Sequence, residues 1–496
     1  MSHIQQDTVQ RFKQYAQALP QVKRYLAQLE QQDLWWTTVA MVGKINNDNI
    51  DPQLLVSVVD TQKAFQALRD QMMEALINRY LNQAHSEIKL KAQASIDILN
   101  RNLFERTADV GFLAADEDLV QFMAQQPAAD EPQRASALRH IEARLEEYVA
   151  KYSVYDDIAL LSPNGEVLAQ LSRAGQQTLN HHNQAKTCHE PWVTHALQGH
   201  TSYTEVYAQS SLFGSQPSLF YAKLVQRRVG EQWQTVGVLC LRFKFEQEVN
   251  TIFNTLNRAG HENDAQDSVA QAREIGHTAF EFALLGAQGE VLAGKPLAAN
   301  VLIKPSVTHE VELNAQGALE YVARAAGYEG FMGLEWFSRV SINQSAAFVQ
   351  GTALESLDGC IEPASMLYLR DLEETNQHVS VLLLIVILNG KMTSLKKDAK
   401  AFLPVLDSFQ DISRAIELIF NDFIGHIHQV MLKTIHDKVR FSASLAAELM
   451  DRNLYERAND CRWWALNNRF RTVLTQHDLS TYQSQGQPLS RAQTQD

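Results

Sequence analysis

The fold follows from the stretch ALLSPNGEVLA at residues 159–169, which returns as ALLGAQGEVLA at residues 283–293. Of the 11 positions, 8 are identical, at a spacing of 124 residues. Apolar runs on both sides of a Gly turn are typical of a β-hairpin, and in the first copy Asn164 and Gly165 both tolerate a positive φ. Any hairpin with such a turn shows part of this pattern. Because each copy follows a helical stretch and precedes strands with aromatic residues, the repeat favours a duplicated sheet module.

The periodicity changes on either side of the hairpins. Residues up to about 110 contain few Gly or Pro and repeat apolar side chains at three- and four-residue steps, which predicts helices, the last of them a long helix at about 81–113. Residues 219–224 and 235–243 predict the central strands of the first sheet. Helical periodicity returns from residue 394. The sequence therefore predicts an α+β fold, with two antiparallel sheet modules on a long helix and helical regions on both flanks.

These patterns divide the chain into five regions. They are an N-terminal helical region at 1–83, the long helix with the first module at 84–255, the second module at 256–350, a C-terminal helical region at 351–479, and a polar tail at 480–496 with the composition of disorder. In the fourth region the apolar run Val379–Leu388 fits a buried strand or a buried helix equally well. In either case we expect it to be buried inside the fold.

A second repeat lies in the helical regions. The motif RNLFER at 101–106 returns as RNLYER at 452–457, and 7 of the 15 positions of 100–114 are identical to those of 451–465. Its apolar side chains can dock a helix while its Arg and Glu side chains pair along one face, so both copies are predicted to be docking helices. The copy at Arg101 is expected to pack at the entrance of the first module. For the second copy two alternatives stay open: Leu454, Tyr455, Trp463 and Trp464 pack onto the N-terminal helices of the chain, or they face outward toward a partner.

Charge and composition exclude several classes of function. With 44 Lys and Arg against 57 Asp and Glu the net charge is −13, which disfavours binding to nucleic acid or to anionic lipid surfaces. The longest strongly apolar run has ten residues, about half of what a membrane-spanning helix needs. The first residues lack the basic start and apolar core of a secretory signal, so we expect a cytoplasmic protein. The four cysteines are far apart and are predicted to be free thiols.

The sequence contains no common catalytic motif. GxGxxG, GxxxxGK[ST], HExxH and GxSxG are all missing, which favours a protein that is not an enzyme. A cluster of imidazoles and one thiol could in principle bind zinc, copper or nickel. It consists of His181, His182, Cys188, His189, His195 and His200. The spacing matches no established ligand pattern, so we expect a polar loop above a pocket, with no bound metal and no cofactor.

At this level the chain resembles the double Cache sensor modules, which are extended relatives of PAS domains found in chemoreceptors and other bacterial signalling proteins. The residues that carry the resemblance are the first hairpin with the strands after it and, in the second module, GYEGF at 327–331 and LEW at 334–336. The motif that continues into DCRWWA at 460–465 resembles helical segments beside Cache modules in chemotaxis-associated proteins. The resemblance covers about residues 80–465 and implies PAS-like sheet modules. It departs from the family's usual pattern, because no membrane-spanning segments flank the modules.

The resemblance implies a small-molecule pocket in the first module, between the sheet and the helix-loop layer that crosses it. The candidate ligand-binding residues by position are Arg173, Trp192, Tyr203, Tyr207 and Tyr221. An Arg can hold a carboxylate by two hydrogen bonds, and aromatic side chains can enclose an ammonium or an apolar group. Tyr207 and Tyr221 also fit the alternative of core aromatic residues.

The predicted function is therefore a cytoplasmic small-molecule sensor in bacterial signal transduction, linked to chemotaxis. It would signal through partner proteins or a homodimer formed by its helical regions. The alternative is an interaction scaffold whose modules bind no ligand.

Overall fold

The computed structural model describes most of the chain. The described residues are 19–45, 52–125, 131–171, 187–199, 201–258, 280–295, 311–313, 317–343, 363–396 and 403–465, with Phe470 and Leu474. Within them the helices are α1 (Pro20–Ile45), α2 (Pro52–Ala114), α3 (Glu117–Gln125), α4 (Glu131–Lys151), α5 (Pro191–Gln198), α6 (Phe245–Arg258), α7 (Pro363–Lys396) and α8 (Leu403–Trp464). The strands of the first module are β1 (Tyr155–Leu161), β2 (Val167–Gln170), β3 (Thr204–Ser210), β4 (Gly214–Val229) and β5 (Gln232–Phe243). Those of the second are β6 (Glu281–Leu285), β7 (Val291–Gly294), β8 (Glu312–Leu313), β9 (Ala318–Arg324) and β10 (Phe337–Asn343).

Both modules contain an antiparallel sheet of the same topology, which confirms the predicted α+β, PAS-like fold. The strand orders are β2-β1-β5-β4-β3 and β7-β6-β10-β9-β8. The two hairpins also share their register: Leu160 pairs with Ala169 and Leu284 with Ala293, and each hairpin is irregular one residue later. Within each of the two hairpin turns only the glycine has a positive φ, 80° at Gly165 and 87° at Gly289, so Asn164 does not use the freedom that the sequence offers.

The long helix α2 is about twice as long as predicted. It begins at Pro52, whereas the prediction was about residue 81, and so the predicted boundary at 83 lies inside it. The reason is local, because no Gly or Pro interrupts the chain between Pro52 and Gly111, and a proline is well suited to a helix start. The two sheets pack on the C-terminal half of α2, and the N-terminal half belongs to a helix bundle.

The run Val379–Leu388 lies in the middle of α7, so the strand alternative is wrong. The expectation that the whole run is buried is also wrong. Val379, Leu383, Val386 and Ile387 are buried, whereas Val381, Leu384, Ile385 and Leu388 are exposed. A helix turns about 100° per residue, so this run of ten residues, nine of them apolar, occupies every side of it while only one side meets the bundle.

The two helical regions are copies of one hairpin. Helix α8 begins 351 residues after α2, which is also the spacing of the two RNLxER motifs. At this spacing the buried positions coincide, in the pairs Val58/Phe409, Thr61/Ile412, Phe65/Ile416, Met72/Phe423, Leu76/Ile427 and Tyr80/Met431. Helices α1 and α7 are related in the same way at a spacing of 347 residues, where VAMVGK at 39–44 matches VILNGK at 386–391. The duplication is thus a whole helical hairpin, of which the sequence motif is only the end.

The two hairpins form one four-helix bundle. Helices α1 and α7 each pack against both α2 and α8, and α2 packs against α8. Helices α2 and α8 are parallel, because residues in contact stay 346 to 352 residues apart from Tyr80 and His426 to Arg101 and Asn453. In the core Trp36 stacks on Phe65 of α2 and meets Phe409 of α8 edge to face, with ring centroids 6.2 and 5.4 Å away.

The motifs meet where the bundle joins the first sheet. Arg106 of the first copy lies 3.3 Å from Glu456 of the second, and Arg457 lies 3.4 Å from Glu105, so the copies exchange equivalent contacts. The Tyr155 hydroxyl of β1 donates to Asp109 at 2.7 Å, which confirms that the first copy packs at the entrance of the first module. In the second copy the polar side faces α2, and Leu454, Tyr455 and Trp464 are exposed. The alternative in which these side chains pack on the N-terminal helices is therefore wrong, while the side chain of Trp463 lies outside the described residues.

We expect Trp36→Ala to lower the free energy of unfolding of the bundle by about 3–5 kcal/mol, because it leaves a cavity between α1, α2 and α8. Trp35→Ala is the matched control, because Trp35 is 50% exposed and Trp36 is fully buried. Urea unfolding followed by far-UV circular dichroism measures both. Equal effects of the two substitutions would contradict the packing described here.

Candidate ligand-binding site

The first sheet has two apolar faces, and they are covered by different elements. One face packs toward α2 with Ile158, Leu160, Tyr221 and Leu241. The other packs under α5 and carries Ala159, Phe220, Ala222, Val238 and Cys240. Successive residues of a strand point to opposite faces, so neighbours such as Phe220 and Tyr221 belong to different cores. We call the second one the α5 face.

Helix α5 is held over this face by apolar and polar contacts. Its Trp192 ring meets Phe220 of β4 at 5.0 Å between centroids, in an edge-to-face arrangement. The indole N–H donates to the Glu190 carboxylate at 2.7 Å, and the backbone N–H and hydroxyl of Ser211 donate to the same side chain at 2.7 Å. Glu190 thus joins the start of α5 to the β3–β4 turn. These hydrogen bonds keep the pKa of Glu190 below its usual value although burial opposes them.

A buried carboxylate lies at the end of the α5 face. Asp157 of β1 is 2% exposed, and its Oδ2 accepts a hydrogen bond of 2.9 Å from the Gln170 amide. The same amide donates to the Leu212 carbonyl at 2.9 Å. Oδ1 is buried and has no hydrogen-bond partner among the described residues. Burial raises the pKa of Asp157 to about 6, although the Gln170 hydrogen bond, the nearby Arg242 and the backbone N–H of Ile158 lower it.

The cation nearest to Asp157, Arg242, already has other hydrogen-bond partners. Arg242 is the partner of Asp157 across the β1–β5 ladder, but its guanidinium donates to both oxygens of Asp156, at 2.6 and 2.9 Å, and to the Phe213 carbonyl at 3.0 Å. A buried carboxylate oxygen without a donor costs free energy unless a proton, a water molecule or a ligand satisfies it. The group that suits Oδ1 is an N–H or O–H donor, and a ligand ammonium would also contribute charge.

The structure separates the residues predicted to bind ligand. Trp192 lies on the α5 face, whereas Tyr203, Tyr207 and Tyr221 lie toward α2, and Arg173 is outside the described residues. Tyr207 packs against Phe245 of α6 and Trp336 of the second module, at 5.3 and 5.4 Å between ring centroids. It therefore lies at the junction of the two modules.

Tyr221, which is buried, forms a polar pair with the half-buried Glu205. Its hydroxyl donates to Glu205 at 2.7 Å across the β3–β4 ladder. Burial raises the pKa of Glu205 to about 7, although this hydrogen bond lowers it. Because the tyrosine hydroxyl supplies a hydrogen bond to the carboxyl group, Glu205 needs no ligand as a donor. Substitution of Glu205 is therefore a control for substitution of Asp157.

The histidine cluster is described only in part, since His181, His182 and His200 lie outside the described residues. His195 Nδ1 is 3.2 Å from the Thr204 hydroxyl, and burial raises the pKa of the Cys188 thiol. Within the described part of the chain no group of His, Cys, Asp and Glu is arranged to hold a metal ion.

The sequence analysis missed the polar residues of the α5 face. Three of these residues could be recognised in the sequence. Asp156 and Asp157 are two carboxylates near the start of the apolar strand β1, and Arg242 interrupts the apolar run of β5. Charged side chains within buried strands need partners, so these three residues could have been selected before the aromatic ones.

A comparison with models of protein families gives no match, and a comparison with curated proteins gives none either. Among solved structures, the chain is similar to the ligand-binding domain of the amino acid chemoreceptor PctB of Pseudomonas aeruginosa PAO1, in complex with L-Arg. The identity is 16% over 54% of this chain and 98% of that chain, with a TM-score of 0.30. It is also similar to the ligand-binding domain of the chemoreceptor CtaA of Pseudomonas fluorescens in complex with L-leucine, at 17% identity over 55% and 100%, with a TM-score of 0.31.

A third similar structure is the sensor domain of the histidine kinase DctB of V. cholerae. Here the identity is 14% over 53% of this chain and 96% of that chain, and the TM-score is 0.30. At these identities and TM-scores the similarities identify no ligand. Separately, no helix in the described ranges combines the length and apolar character needed to span a membrane.

We expect Asp157→Asn to remove a pH dependence of stability. The folded-state pKa of about 6 is above the usual 3.8, so the folded protein binds the proton more tightly and this contribution to stability is lost as pH rises through about 6. Between about pH 5 and pH 7.5 the wild type should lose about 1 kcal/mol relative to the variant. Urea unfolding at both pH values measures the difference. Asp411→Asn, at a side chain that is 74% exposed, is the control, and the same pH response in both variants would contradict the burial of Asp157.

Proposed function

We propose that this chain is a small-molecule sensor in bacterial signal transduction and that its ligand binds on the α5 face of the first module. The observation that carries the proposal is Asp157, a buried carboxylate with one oxygen held by Gln170 and the other without a partner among the described residues. A ligand that carries an ammonium or another N–H donor would satisfy this oxygen. Amines and amino acids are the first compounds to test.

The proposal is binding without catalysis. Asp157 is held by an amide and Arg242 by a carboxylate and a carbonyl, so these groups are fixed hydrogen-bonding partners and do not form a nucleophile beside a base. A cofactor has no part in it.

Strand β1 offers a route for the signal. Asp157 lies two residues from Tyr155, whose hydroxyl donates to Asp109 of α2, and Asp109 lies 3.2 Å from Arg106. A ligand that displaced the start of β1 would act directly on the contact between α2 and α8. The response would be a population shift between two arrangements of these helices, passed on to a partner protein.

The link to chemotaxis rests on the sequence, through the resemblance to Cache modules beside RNLYER helices, and the cytoplasmic location is proposed together with it. The alternative function, an interaction scaffold, is favoured by one observation, the exposed apolar side chains of α8 near Leu454.

In a thermal-shift screen of the purified chain against amino acids and small amines, we expect at least one compound to raise the melting temperature, because a ligand that binds only the folded state stabilises it by mass action. Asp157→Asn should abolish this shift, since the amide cannot provide the negative charge. Glu205→Gln, on the opposite face of the same sheet, should retain it. A shift that survives Asp157→Asn, or a screen without any shift, would contradict the proposed site.

The location is testable with two fusions to the chain. A green fluorescent protein fusion should fluoresce throughout the cell, and an alkaline phosphatase fusion should be inactive, because that enzyme needs disulfides that form outside the cytoplasm. An active phosphatase fusion would overturn the cytoplasmic location.

A further inference from the structure

One side of α8 exposes a set of apolar side chains that has no covering among the described residues. This α8 surface consists of Val439, Met450, Leu454, Tyr455, Cys461 and Trp464, all of them exposed. Isolated exposed apolar residues are common, but these six lie within the last seven turns of one helix. At 100° per residue, five of them fall within about 80° of its circumference and Tyr455 lies about 100° beyond Leu454. Exposed apolar surface concentrated in this way marks binding sites.

The counterparts of these residues in α2 are covered. At the repeat spacing of 351 they are Ile88, Leu99, Leu103, Phe104, Val110 and Leu113. Five of the six are at most 2% exposed, and Phe104 is half-buried. Leu103 and Leu454 show the contrast most clearly, because the same residue in the same motif is 2% exposed in one copy and 64% exposed in the other.

The sheet modules are what covers the α2 side. The Phe104 ring packs against Tyr328 and Phe331 in the β9–β10 loop, with centroids 5.2 and 5.9 Å away. In the same loop the backbone N–H of Ala326 donates to Asp97 at 3.1 Å. Two residues before Asp97, the Ser95 hydroxyl is hydrogen-bonded to Ser338 of β10. This side of α2 thus binds an antiparallel sheet and the aromatic residues of one of its loops.

The α8 surface keeps the two kinds of group that hold this loop. Tyr455 is the counterpart of Phe104 and supplies an aromatic ring, while Glu448 is the counterpart of Asp97 and supplies a carboxylate that can accept a backbone N–H. Both are exposed. The two motifs exchange equivalent contacts across the bundle, so the α8 surface points away from α2 just as the module-bearing side of α2 points away from α8.

We propose that the α8 surface is the docking site for a PAS-like antiparallel sheet module of a partner protein. The partner would place aromatic side chains of a strand-connecting loop against Tyr455 and a backbone N–H against Glu448, as the second module does on α2. A second copy of this chain is not the expected occupant, because its sheet modules already cover its own α2. The partner module would then lie on the opposite side of the bundle from the sensor modules. The two helices that carry them, α2 and α8, are joined by the contact between Arg106 and Glu456.

The test is photo-crosslinking in cells that produce the full chain. A benzoylphenylalanine at position 455 preserves the aromatic ring, and the same residue at position 418 is the control, because Leu418 is 71% exposed on the same helix but lies outside the α8 surface. We expect an adduct from position 455 that position 418 does not give. Its cross-linked peptide should lie in a strand or strand-connecting loop of an antiparallel sheet in another protein.

Two substitutions complete the test. Leu454→Asp should reduce the adduct by about tenfold or more, since it places a charge at the centre of an apolar contact, and it should leave the melting temperature of the purified chain unchanged because Leu454 is exposed. Asp157→Asn should give the full adduct, so that failure of the ligand site and failure of the docking site are told apart. An adduct with a second copy of this chain, a cross-link to a helix of another protein, or no adduct beyond the control would each overturn the proposal.

Discussion

The buried guanidinium of Arg106 is the contact on which the rest of the structure depends. It is 1% exposed and lies between Asp109 of its own helix, at 3.2 Å, and Glu456 of α8, at 3.3 Å. Burial alone would lower the pKa of Arg106, but the two carboxylates outweigh it and raise the pKa above its usual value, so the side chain stays charged. A buried cation is stable only beside its counter-charges. If one helix moved out of the cluster, the charged side chains left behind would be buried without their partners, which costs free energy. Through Tyr155 the same cluster also fixes the start of β1.

This arrangement gives the two copies of the helical hairpin different roles. The first copy carries the sheet modules on the outer side of α2, and the second copy supplies the acidic partner that completes the cluster. Because β1 contains both Tyr155 and Asp157, the proposed ligand site and the cluster share one strand. Helix α8 leaves its own outer side exposed, and so a displacement of α2 against α8 changes how that side is presented. Two packed parallel helices are an element that can take discrete arrangements.

The sequence predicts the sheets better than the site. The hairpins could be predicted in detail, because the identical positions include the alternation of apolar residues and the glycine that each turn requires. Two features could not be predicted from the sequence. The first is the duplication of the whole hairpin, because α1 and α7 share the spacing of their buried positions but few identical residues. The second is which face of the first sheet packs against α2. Alternation shows that Phe220 and Tyr221 point in opposite directions, but both faces are apolar and buried, so local pattern does not show which one meets α2. For this reason Trp192 and the three tyrosines were expected together and lie apart.

A double-mutant cycle between Arg106 and Glu456 tests the central claim most directly. Arg106→Met and Glu456→Leu should each lower the free energy of unfolding, by about 3–5 kcal/mol where a buried charge is left unpaired. The double variant should be more stable than the sum of the single effects predicts, by about 1 kcal/mol or more, because neither charge then remains without its partner. Additive effects, or a Glu456→Leu variant as stable as the wild type, would show that the cluster does not join the two hairpins.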